Sequence, residues 1–381
     1  MAQAALAHAG MFQGPRFARV RRHHLLSDGF TQLASLTAEQ LKTRVRVQFV
    51  DEEGLAEAGI DGGGLFKDFM EGLMRDGFGG DSGLFVANSQ RELYPAPSAA
   101  FSPVTRMLLR FLGAMLGKAL WEGLLLELPL ARFFLKSMRG GKCDLHDLPS
   151  LDEQLYRNLL SLRQHPEGVV DLSLTFCAVS DVRGQRVEVE LKPGGKDIPV
   201  TADNLEEYIA RVADFRLNVE LRQAVEAFMQ GFHDLIDPEW VVMFNEHEMQ
   251  TLISGRVDSA GQGLDLEDMR AHTHYQSGYH EEHPVVAVFW SVLAAFTPDQ
   301  QRAFLKFVTA CSRPPLLGFR FLEPQLCIQM AGGVLDPAAT DRLPTAATCM
   351  NLLKLPPYQK ATLMREKLLL AITGTEGFDL S

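Results

Sequence analysis

The chain has 381 residues, of which 46% are hydrophobic and 22% charged, enough apolar material for two or three compact folded units. The formal net charge of −11 argues against nucleic acid as the main partner, because phosphate binding draws on clustered Lys and Arg. No apolar run is long enough to span a membrane: the most apolar stretch, 124–135, is interrupted by Glu127, Pro129 and Arg132. We therefore expect neither a nucleic-acid-binding nor a membrane protein.

Five cysteines are present, an odd number, and none of them forms a C-x-x-C pair. In a chain of this size, that pattern predicts neither a disulfide framework nor a zinc site, and it favours a reducing compartment. We expect a protein of the cytoplasm, with the nucleus as a second location, and no metal or other cofactor. The cysteines are Cys143, Cys177, Cys311, Cys327 and Cys349.

The first residues are rich in Ala and Arg, and no acidic residue occurs before Asp28. This composition is loosely similar to an organelle transit peptide. A disordered leader, or the start of a fragment, has the same composition. We take residues 1–18 as a disordered leader.

The first half of the chain reads as mainly helical, with one clear strand. Thr37-Ala-Glu-Gln40 has the form of a capping box and predicts a helix start. Residues 44–50 alternate between polar and apolar, as in a half-buried strand. Residues 59–74 contain three consecutive glycines and then an amphipathic helix. Its apolar positions are Leu65, Phe66, Phe69 and Leu73.

Two glycine-containing segments deserve comparison with phosphate-binding loops. A P-loop needs a lysine followed by Ser or Thr at the start of the helix. In the first segment Lys67 is followed by Asp68, and in the second, 193–199, the lysine is followed by Asp197. Both segments are better explained as tight turns.

Four further helical segments follow from periodicity and capping. Residues 105–138 predict a buried pair of helices broken at Pro129, and 201–215 predict a helix with Leu205, Ile209 and Val212 on one face. Asp237-Pro238 is typical of a helix start. Asn245 predicts the next helix start, and Gly255 its end.

The composition changes between 272 and 284, where aliphatic residues disappear, a glycine lies mid-segment and a proline ends the run. This is the best linker candidate in the chain. The segment contains four histidines and two glutamates, which are potential metal ligands, but their spacing matches no common site and a polar exposed connector explains them equally well. They are His272, His274, His280, His283, Glu281 and Glu282.

Beyond this segment the sequence predicts a smaller α/β unit. Thr297-Pro298-Asp-Gln300 combines an N-cap, a proline at the first helical position and a capping-box glutamine. Residues 321–330 and 349–355 read as strands, and 358–373 as a helix with Met364, Leu368 and Ala371 along one stripe.

Cys349 has two interpretations. A free cysteine is among the most buried residue types, so packing alone would explain it. However, it lies at the junction of a loop and a predicted strand, where reactive groups are commonly presented, in a unit that follows a candidate hinge. No G-x-S-x-G motif offers a serine nucleophile instead.

The segment "RLPTAATCMNLLKLPPY" around Cys349 resembles the active-site segment of HECT-type ubiquitin ligases. The resemblance covers about residues 19–381, and its motifs are nearest to the branch that contains ubiquitin-protein ligase 3C. It continues through "GIDGGGLFKDF", "LYPAPS", "FLGAMLGKALWEG", "LKPGGKDIPVTADN", "MQTLISG", "KFVTACSRPPLLGF" and the terminal "GFDLS".

This resemblance implies an α+β, bilobal HECT-like fold. A larger, mainly helical N-lobe over residues 19–271 would dock a ubiquitin-conjugating enzyme. A flexible hinge over 272–283 would join it to a smaller α/β C-lobe over 284–381, which carries the catalytic cysteine.

The resemblance also implies roles for individual residues. Cys349 would be the nucleophile. Phe378 is the fourth residue counted back from the end of the terminal "GFDLS", where the family has a phenylalanine, and it would orient the C-lobe during transfer. Asp379, its neighbour, is a candidate proton acceptor for the attacking lysine. The apolar groove for the conjugating enzyme would contain Leu155, Leu159, Leu162, Leu172, Leu174 and Tyr208. Each of these leucines could also be an ordinary core residue, and Tyr208 is the favoured anchor.

One departure from the family concerns Ala347, which lies where many HECT ligases have a histidine two residues before the cysteine. A thiol exchange needs positioning more than a local base, so the expected activity stands. We expect ubiquitin to pass from a conjugating enzyme to Cys349 and then to a lysine of ubiquitin or of a substrate, including proteasome-associated proteins, in proteasomal degradation. A non-catalytic HECT-like adaptor is the alternative. A thiol hydrolase that removes ubiquitin is less well supported, since it would need a histidine beside Cys349.

Overall fold

Two separate hydrophobic cores organise the chain in this computed structural model. The structure describes residues 16–56, 64–182, 185–255, 263–315, 317–332 and 339–374. Within them, the fold is α+β, as predicted. The helices are α1 (Leu25–Leu33), α2 (Ala38–Lys42), α3 (Gly64–Phe78), α4 (Pro103–Trp121), α5 (Arg132–Met138), α6 (Glu153–Gln164), α7 (Leu205–Asp214), α8 (Arg222–His233), α9 (Pro238–Val242), α10 (Glu246–Ser254), α11 (Leu266–Ala271), α12 (Pro284–Ala294), α13 (Pro298–Thr309) and α14 (Ala361–Gly374). The strands are β1 (Arg16–Arg21), β2 (Val45–Val50), β3 (Phe85–Ala87), β4 (Leu93–Pro95), β5 (Cys177–Val182), β6 (Gln185–Glu190), β7 (His274–Gln276), β8 (Cys327–Met330), β9 (Thr345–Ala347) and β10 (Leu352–Leu355).

Helix starts follow the capping signals in the sequence. Thr37, Asn245 and Thr297 each form a complete capping box with the residue three positions later. Asp237 caps α9 through its side chain, and Gly255, with φ of 79°, follows the last residue of α10. These predictions are confirmed, because they depend on hydrogen bonds between neighbours in sequence. Among the described residues, no helix has both the length and the apolar character needed to cross a membrane.

The first core is built from residues between Ala18 and Ile253, and its centre is the contact between α4 and α8. Two glycines allow this contact. A Cβ atom on Gly113 would lie 1.9 Å from the carbonyl oxygen of Phe228, and one on Gly231 would lie 1.8 Å from that of Arg110. The two helix backbones therefore touch where side chains would hold them apart.

Strand β1 pairs in parallel with β2, with Arg16 opposite Val45 and Arg21 opposite Val50. The expected disordered leader over 1–18 therefore extends too far, since residues 16–18 already belong to this strand. The strand was missed because its alternating residues look like the basic, Ala-rich segment before it. Residues 1–15 lie outside the described residues.

The second core is built from residues between Leu264 and Ile372, around a four-stranded sheet in the order β7-β8-β10-β9. Strand β8 runs parallel to both of its neighbours, and β9 runs antiparallel to β10. Helices α12, α13 and α14 pack together in this unit, with Met364 and Leu368 of α14 fully buried, as their spacing predicted. We call the residues around these two cores the first unit and the second unit.

The segment 272–283 differs from the exposed connector that its composition suggested. Residues 274–276 form the edge strand β7, and Tyr279 is 5% exposed and packs in the second core. Its hydroxyl donates a 3.0 Å hydrogen bond to the carbonyl oxygen of Leu355. The segment is polar because it supplies a sheet edge, so it belongs to the second unit. In sequence, the first core ends at Ile253 and the second begins at Leu264.

Two strand predictions in the second unit were too long. The predicted strand over 321–330 begins only at Cys327, after a 3₁₀ turn over Phe319–Phe321. The predicted strand over 349–355 begins only at Leu352. Cys349 instead lies in a 3₁₀ turn, Thr348–Met350, because Asn351 adopts a left-handed conformation, with φ of 46°, that interrupts the extended chain.

Candidate active site

The turn Thr348–Met350, which we call the Cys349 turn, connects the antiparallel strands β9 and β10. Asn351 closes it: its backbone N–H donates to the carbonyl oxygen of Thr348 at 3.1 Å. Asn351 is fully buried, and its side-chain amide donates to the carbonyl oxygen of Pro324 at 2.5 Å. The backbone that carries Cys349 is therefore tied to the start of β8 as well as to β10.

The Cys349 turn lies against helix α3 of the first unit. Lys67 is 8% exposed, and its ammonium donates hydrogen bonds to the carbonyl oxygen of Thr309 and, at 3.2 Å, to Oδ1 of Asn351. The next residue, Asp68, accepts a 3.3 Å hydrogen bond from the hydroxyl of Thr348. Two consecutive residues of α3 thus bind the residues on either side of Cys349 and Met350.

A second polar contact joins the units nearby. Glu127 accepts a 2.7 Å hydrogen bond from the backbone N–H of Ser312, and its other oxygen lies 3.3 Å from the ammonium of Lys306. Burial opposes ionisation of this carboxyl, but these partners outweigh it and lower the pKa of Glu127 below its usual value.

A cavity of about 670 Å³ opens beside the Cys349 turn and is walled by both units. The first unit contributes Glu71, Phe78 and Leu126 to it, and the second contributes Phe307 and Thr348. Oε1 of Glu71 is buried and has no hydrogen-bond partner among the described residues. Burial raises the pKa of Glu71 to about 7, and the charge of Lys67 partly offsets that effect.

The four cysteines with described side chains are poor nucleophiles. Burial raises the pKa of the Cys143 and Cys311 thiols to about 11, and it raises the pKa of Cys177 and Cys327 as well. A thiolate is the reactive form, so these four cysteines are predominantly unreactive at neutral pH. Position and elimination both favour Cys349 as the candidate nucleophile.

The residues predicted for the conjugating-enzyme groove lie on α6, on α7 and in the segments between them, but they differ in exposure. Leu159 is 3% exposed and Tyr208 is 8% exposed, so both belong to the first core. Leu155, Leu162 and Leu174 are half-buried against that core. Leu172 is 54% exposed.

Tyr208, the favoured anchor, packs edge-on against Phe176 with the ring centroids 5.5 Å apart. Its side chain is therefore a core contact with little area left for a partner. Val170, which sequence analysis missed, is 60% exposed and lies with Leu172 in the 3₁₀ segment Pro166–Leu172. The sequence around Val170 and Leu172 has neither helical nor strand periodicity, so no pattern in it indicated that these two side chains are exposed.

Phe378 and Asp379 lie outside the described residues. The histidines of 272–283 have local partners: His283 caps α12 through its ring, and Nδ1 of His272 lies 3.0 Å from a carboxyl oxygen of Asp268. Within the described part of the chain, no three His, Cys, Asp or Glu side chains gather into a potential metal site.

Lys67 and Asp68 were set aside in the sequence because they do not complete a P-loop. Helix α3 is buried on two sides, and the predicted apolar stripe of Phe66, Phe69 and Leu73 accounts for only one of them. The second side carries Lys67 and Glu71, at a spacing of one helical turn, toward the other unit. A Lys/Glu pair at that spacing is equally typical of a solvated helix face, so no feature of the sequence distinguished this second buried side.

The Cys349 turn is hydrogen-bonded to both units through Thr348 and Asn351, a position that suits a cysteine nucleophile of a transferase. Residues 71–381 match the HECT-domain (ubiquitin-transferase) family, and the chain belongs to that family. The family expected from the sequence motifs is confirmed.

Three relatives illustrate the similarity. The chain is 48% identical over 98% of its length to E3 ubiquitin-protein ligase UPL6 of Arabidopsis thaliana, of which it covers 36%. It is 42% identical over 95% of its length to ubiquitin-protein ligase E3B of Homo sapiens, of which it covers 36%. It is 39% identical over 95% of its length to E3 ubiquitin-protein ligase HUL5 of Saccharomyces cerevisiae, of which it covers 39%. The chain thus spans little more than a third of the length of these curated relatives.

Proposed function

We propose that the chain is a ubiquitin ligase that carries ubiquitin as a thioester on Cys349 and transfers it to a lysine of a substrate or of ubiquitin. Membership of the HECT family supports the reaction class. The observation that carries the proposal is the position of the Cys349 turn: it lies at the contact between the two units, bonded to α3. A nucleophile that must meet two different reaction partners is well placed at a contact that can open.

The reaction has two steps. In the first, the thiolate of Cys349 attacks the carbonyl carbon of the ubiquitin thioester, and the sulfur of the conjugating enzyme leaves as a thiolate. In the second, a lysine amine attacks the new thioester, the sulfur of Cys349 leaves, and the amine proton passes to a base. The first step is close to thermoneutral and depends on alignment, while the second needs a proton acceptor as well.

The other proposed site residues serve these steps. The exposed Leu172 and the half-buried Leu155, Leu162 and Leu174 would dock the conjugating enzyme, with Leu172 as the main contact, while Leu159 and Tyr208 would support that surface from the first core. Phe378 would orient the second unit during transfer, and Asp379 would accept the amine proton. In this proposal the two units are the N-lobe and C-lobe of a bilobal fold. The segment expected to be the hinge, 272–283, supplies β7 to the second sheet, so in this proposal it moves with the second unit.

Ubiquitin, a conjugating enzyme and protein substrates are the proposed partners, and the relatives are named as ubiquitin-protein ligases. Proteasome-associated substrates, a role in degradation, and a location in the cytoplasm or nucleus complete the proposal. The four cysteines whose side chains the structure describes are free, which suits those compartments.

The test is a charging reaction with ubiquitin, activating enzyme and conjugating enzyme, followed by a non-reducing gel. We expect a ubiquitin adduct that thiol reductant removes and that is absent from Cys349→Ala. Cys311→Ala, which removes a buried cysteine of the same unit, is the matched control and should form the adduct. Absence of a reductant-sensitive adduct from the unmodified chain would instead indicate a non-catalytic adaptor.

A further inference from the structure

Lys67 and Asp68 of α3, which we call the α3 clamp, hold the Cys349 turn from the opposite unit. Lys67 binds Asn351, which follows the turn, and Asp68 binds Thr348, which begins it. The side chain of Asn351 has a fixed orientation, because its Nδ2 donates a hydrogen bond to the carbonyl oxygen of Pro324. In that orientation its Oδ1 faces the ammonium of Lys67. A shift of either unit would break both contacts together.

Because the α3 clamp is buried, breaking only some of its hydrogen bonds costs free energy. Lys67 is 8% exposed and Asn351 is fully buried. The hydrogen-bond acceptors of the Lys67 ammonium, the carbonyl oxygen of Thr309 and the side chain of Asn351, both belong to the second unit. A buried ammonium that loses its acceptors must be rehydrated, so Lys67 favours either a fully docked turn or a fully separated one. That is the behaviour of a two-state contact.

The surroundings of the clamped turn suit an amine. The cavity beside Thr348 contains Glu71, whose Oε1 has no hydrogen-bond partner among the described residues. Its apolar wall includes Phe78 and Phe307, which match the aliphatic stem of a lysine. A buried carboxyl oxygen without a partner is a hydrogen-bond acceptor for an incoming ammonium or amine.

The proposed docking surface for the conjugating enzyme lies on other elements. Leu172 is in the segment Pro166–Leu172, which packs on α6, whereas α3 packs on α1, β2 and α4. The clamp therefore fixes the Cys349 turn to an element that takes no part in that surface. Two reaction partners with two different positions require two arrangements of the same sulfur.

We propose that the α3 clamp is a positioning device for the second step: Lys67 and Asp68 hold the Cys349 turn in the arrangement from which ubiquitin passes to lysine. The inference rests on the proposed function, because it assigns the clamp to one of its two steps. Lys67 acts through Asn351 and Asp68 through Thr348, so both are positioning residues. The clamp releases the turn when Cys349 collects ubiquitin.

The experiment measures the two steps separately in single turnovers of the whole chain. The first assay follows transfer of ubiquitin from a charged conjugating enzyme to Cys349. The second isolates the chain with labelled ubiquitin bound as a thioester and adds unlabelled ubiquitin, whose lysine is the acceptor. Lys67→Met should leave the first rate as fast or faster, because that step needs the clamp released, and slow the second about ten- to a hundredfold, the range that misplacement of a reacting group produces.

Three variants separate positioning from a general loss of structure. Lys118→Met removes another buried lysine, whose ammonium binds Glu122 and the carbonyl oxygen of Thr43 within the first unit. It should change the two rates by the same factor. Lys67→Arg retains the charge and the donors and should restore much of the second step. Lys67→Met combined with Asn351→Gly should be no slower than the worse single variant, because the two residues act as one contact.

Equal effects of Lys67→Met on both steps, or no effect on either, would overturn the inference while leaving the ligase proposal intact. If the unmodified chain forms no thioester at all, the proposed function itself fails. Should Lys67→Met fold poorly, Thr348→Val tests the same clamp from the other side, since it keeps the shape of the side chain and removes the donor to Asp68. The same selective loss of the second step is expected, and its absence would count equally against the clamp.

Discussion

Leu159 and Leu172 are both proposed for the docking groove, but they face different surroundings. Leu159 is 3% exposed and packs in the first core, whereas Leu172 is 54% exposed. Truncation of a buried leucine loses transfer free energy and leaves a cavity, while truncation of an exposed one changes folding little. The two positions therefore separate binding from stability.

We expect Leu159→Ala to lower the free energy of unfolding by about 3 kcal/mol, and Leu172→Ala to change it by less than about 0.5 kcal/mol. Leu172→Ala should instead raise the concentration of conjugating enzyme needed for half-maximal charging of Cys349. Urea unfolding and a titration of charging rate measure the two effects. An unchanged titration for Leu172→Ala would remove this residue from the docking surface.

Single residues were predictable where their role is local. The N-caps Thr37 and Thr297 bond to atoms three residues away, so their role is visible in a short window of sequence. Lys67 bonds to Asn351, 284 positions along the chain, and nothing near Lys67 identifies that partner. The identity of the nucleophile could be inferred from motif resemblance, but the side chains that hold its turn could not.

At the scale of elements, the contact between α4 and α8 depends on the absence of two side chains. A Cβ on Gly113 would lie 1.9 Å from the oxygen of Phe228, which is backbone and cannot rotate away. Gly113→Ala must therefore separate the helices across the centre of the first core. Overpacking of this kind costs about 3 kcal/mol.

Gly80→Ala is the matched control for Gly113→Ala. No heavy atom lies within 4 Å of the added Cβ at Gly80. That substitution should leave the protein as stable or stabilise it by up to about 1 kcal/mol, because it restricts the unfolded chain. Urea unfolding midpoints compare the two, and equal midpoints would show that α4 and α8 can move apart without cost.

Elements were predicted best where periodicity runs over many residues. The apolar stripe that includes Met364 and Leu368 predicted α14, and the alternation of polar and apolar residues over 44–50 predicted β2. Short elements of the second sheet were misjudged, because β7 has three residues and its pairing with β8 is set by tertiary contacts. The Cys349 turn was predicted as strand for the same reason. The left-handed conformation of Asn351 is held by buried hydrogen bonds from both units, and these are tertiary contacts.

At the scale of the whole molecule, two carboxyl groups at the contact between the units respond to pH in opposite directions. Burial raises the pKa of Glu71 from 4.5 to about 7, so the docked arrangement favours its protonated form. The second unit walls the same cavity and so contributes to that burial, and docking therefore weakens as pH rises from 4.5 through 7, by at most about 3 kcal/mol. Lys67, Asp68, Arg75 and Glu127 are the charged groups that act on Glu71.

Glu127 has the opposite sign. Although burial opposes it, the hydrogen bond from Ser312 and the charge of Lys306 lower its pKa below 4.5 in the docked arrangement. Its contribution is present above 4.5 and is lost as pH falls through the docked-state pKa. The contribution of Glu127 grows up to about pH 4.5 and that of Glu71 declines from about pH 4.5, so the units dock most strongly near pH 4.5.

We therefore expect the distance between the units to pass through a minimum near pH 4.5, since docking weakens on the acid side through Glu127 and on the alkaline side through Glu71. Fluorescence energy transfer between non-natural amino acids at the exposed positions Ser89 and Glu366 would measure that distance. Glu71→Gln, which cannot ionise, should abolish the alkaline loss and leave the acid limb in place. Glu127→Gln should abolish the acid limb and weaken docking at pH 6. An alkaline loss of equal size in Glu71→Gln would show that another group governs the contact, because the variant removes the only charge change assigned to that limb.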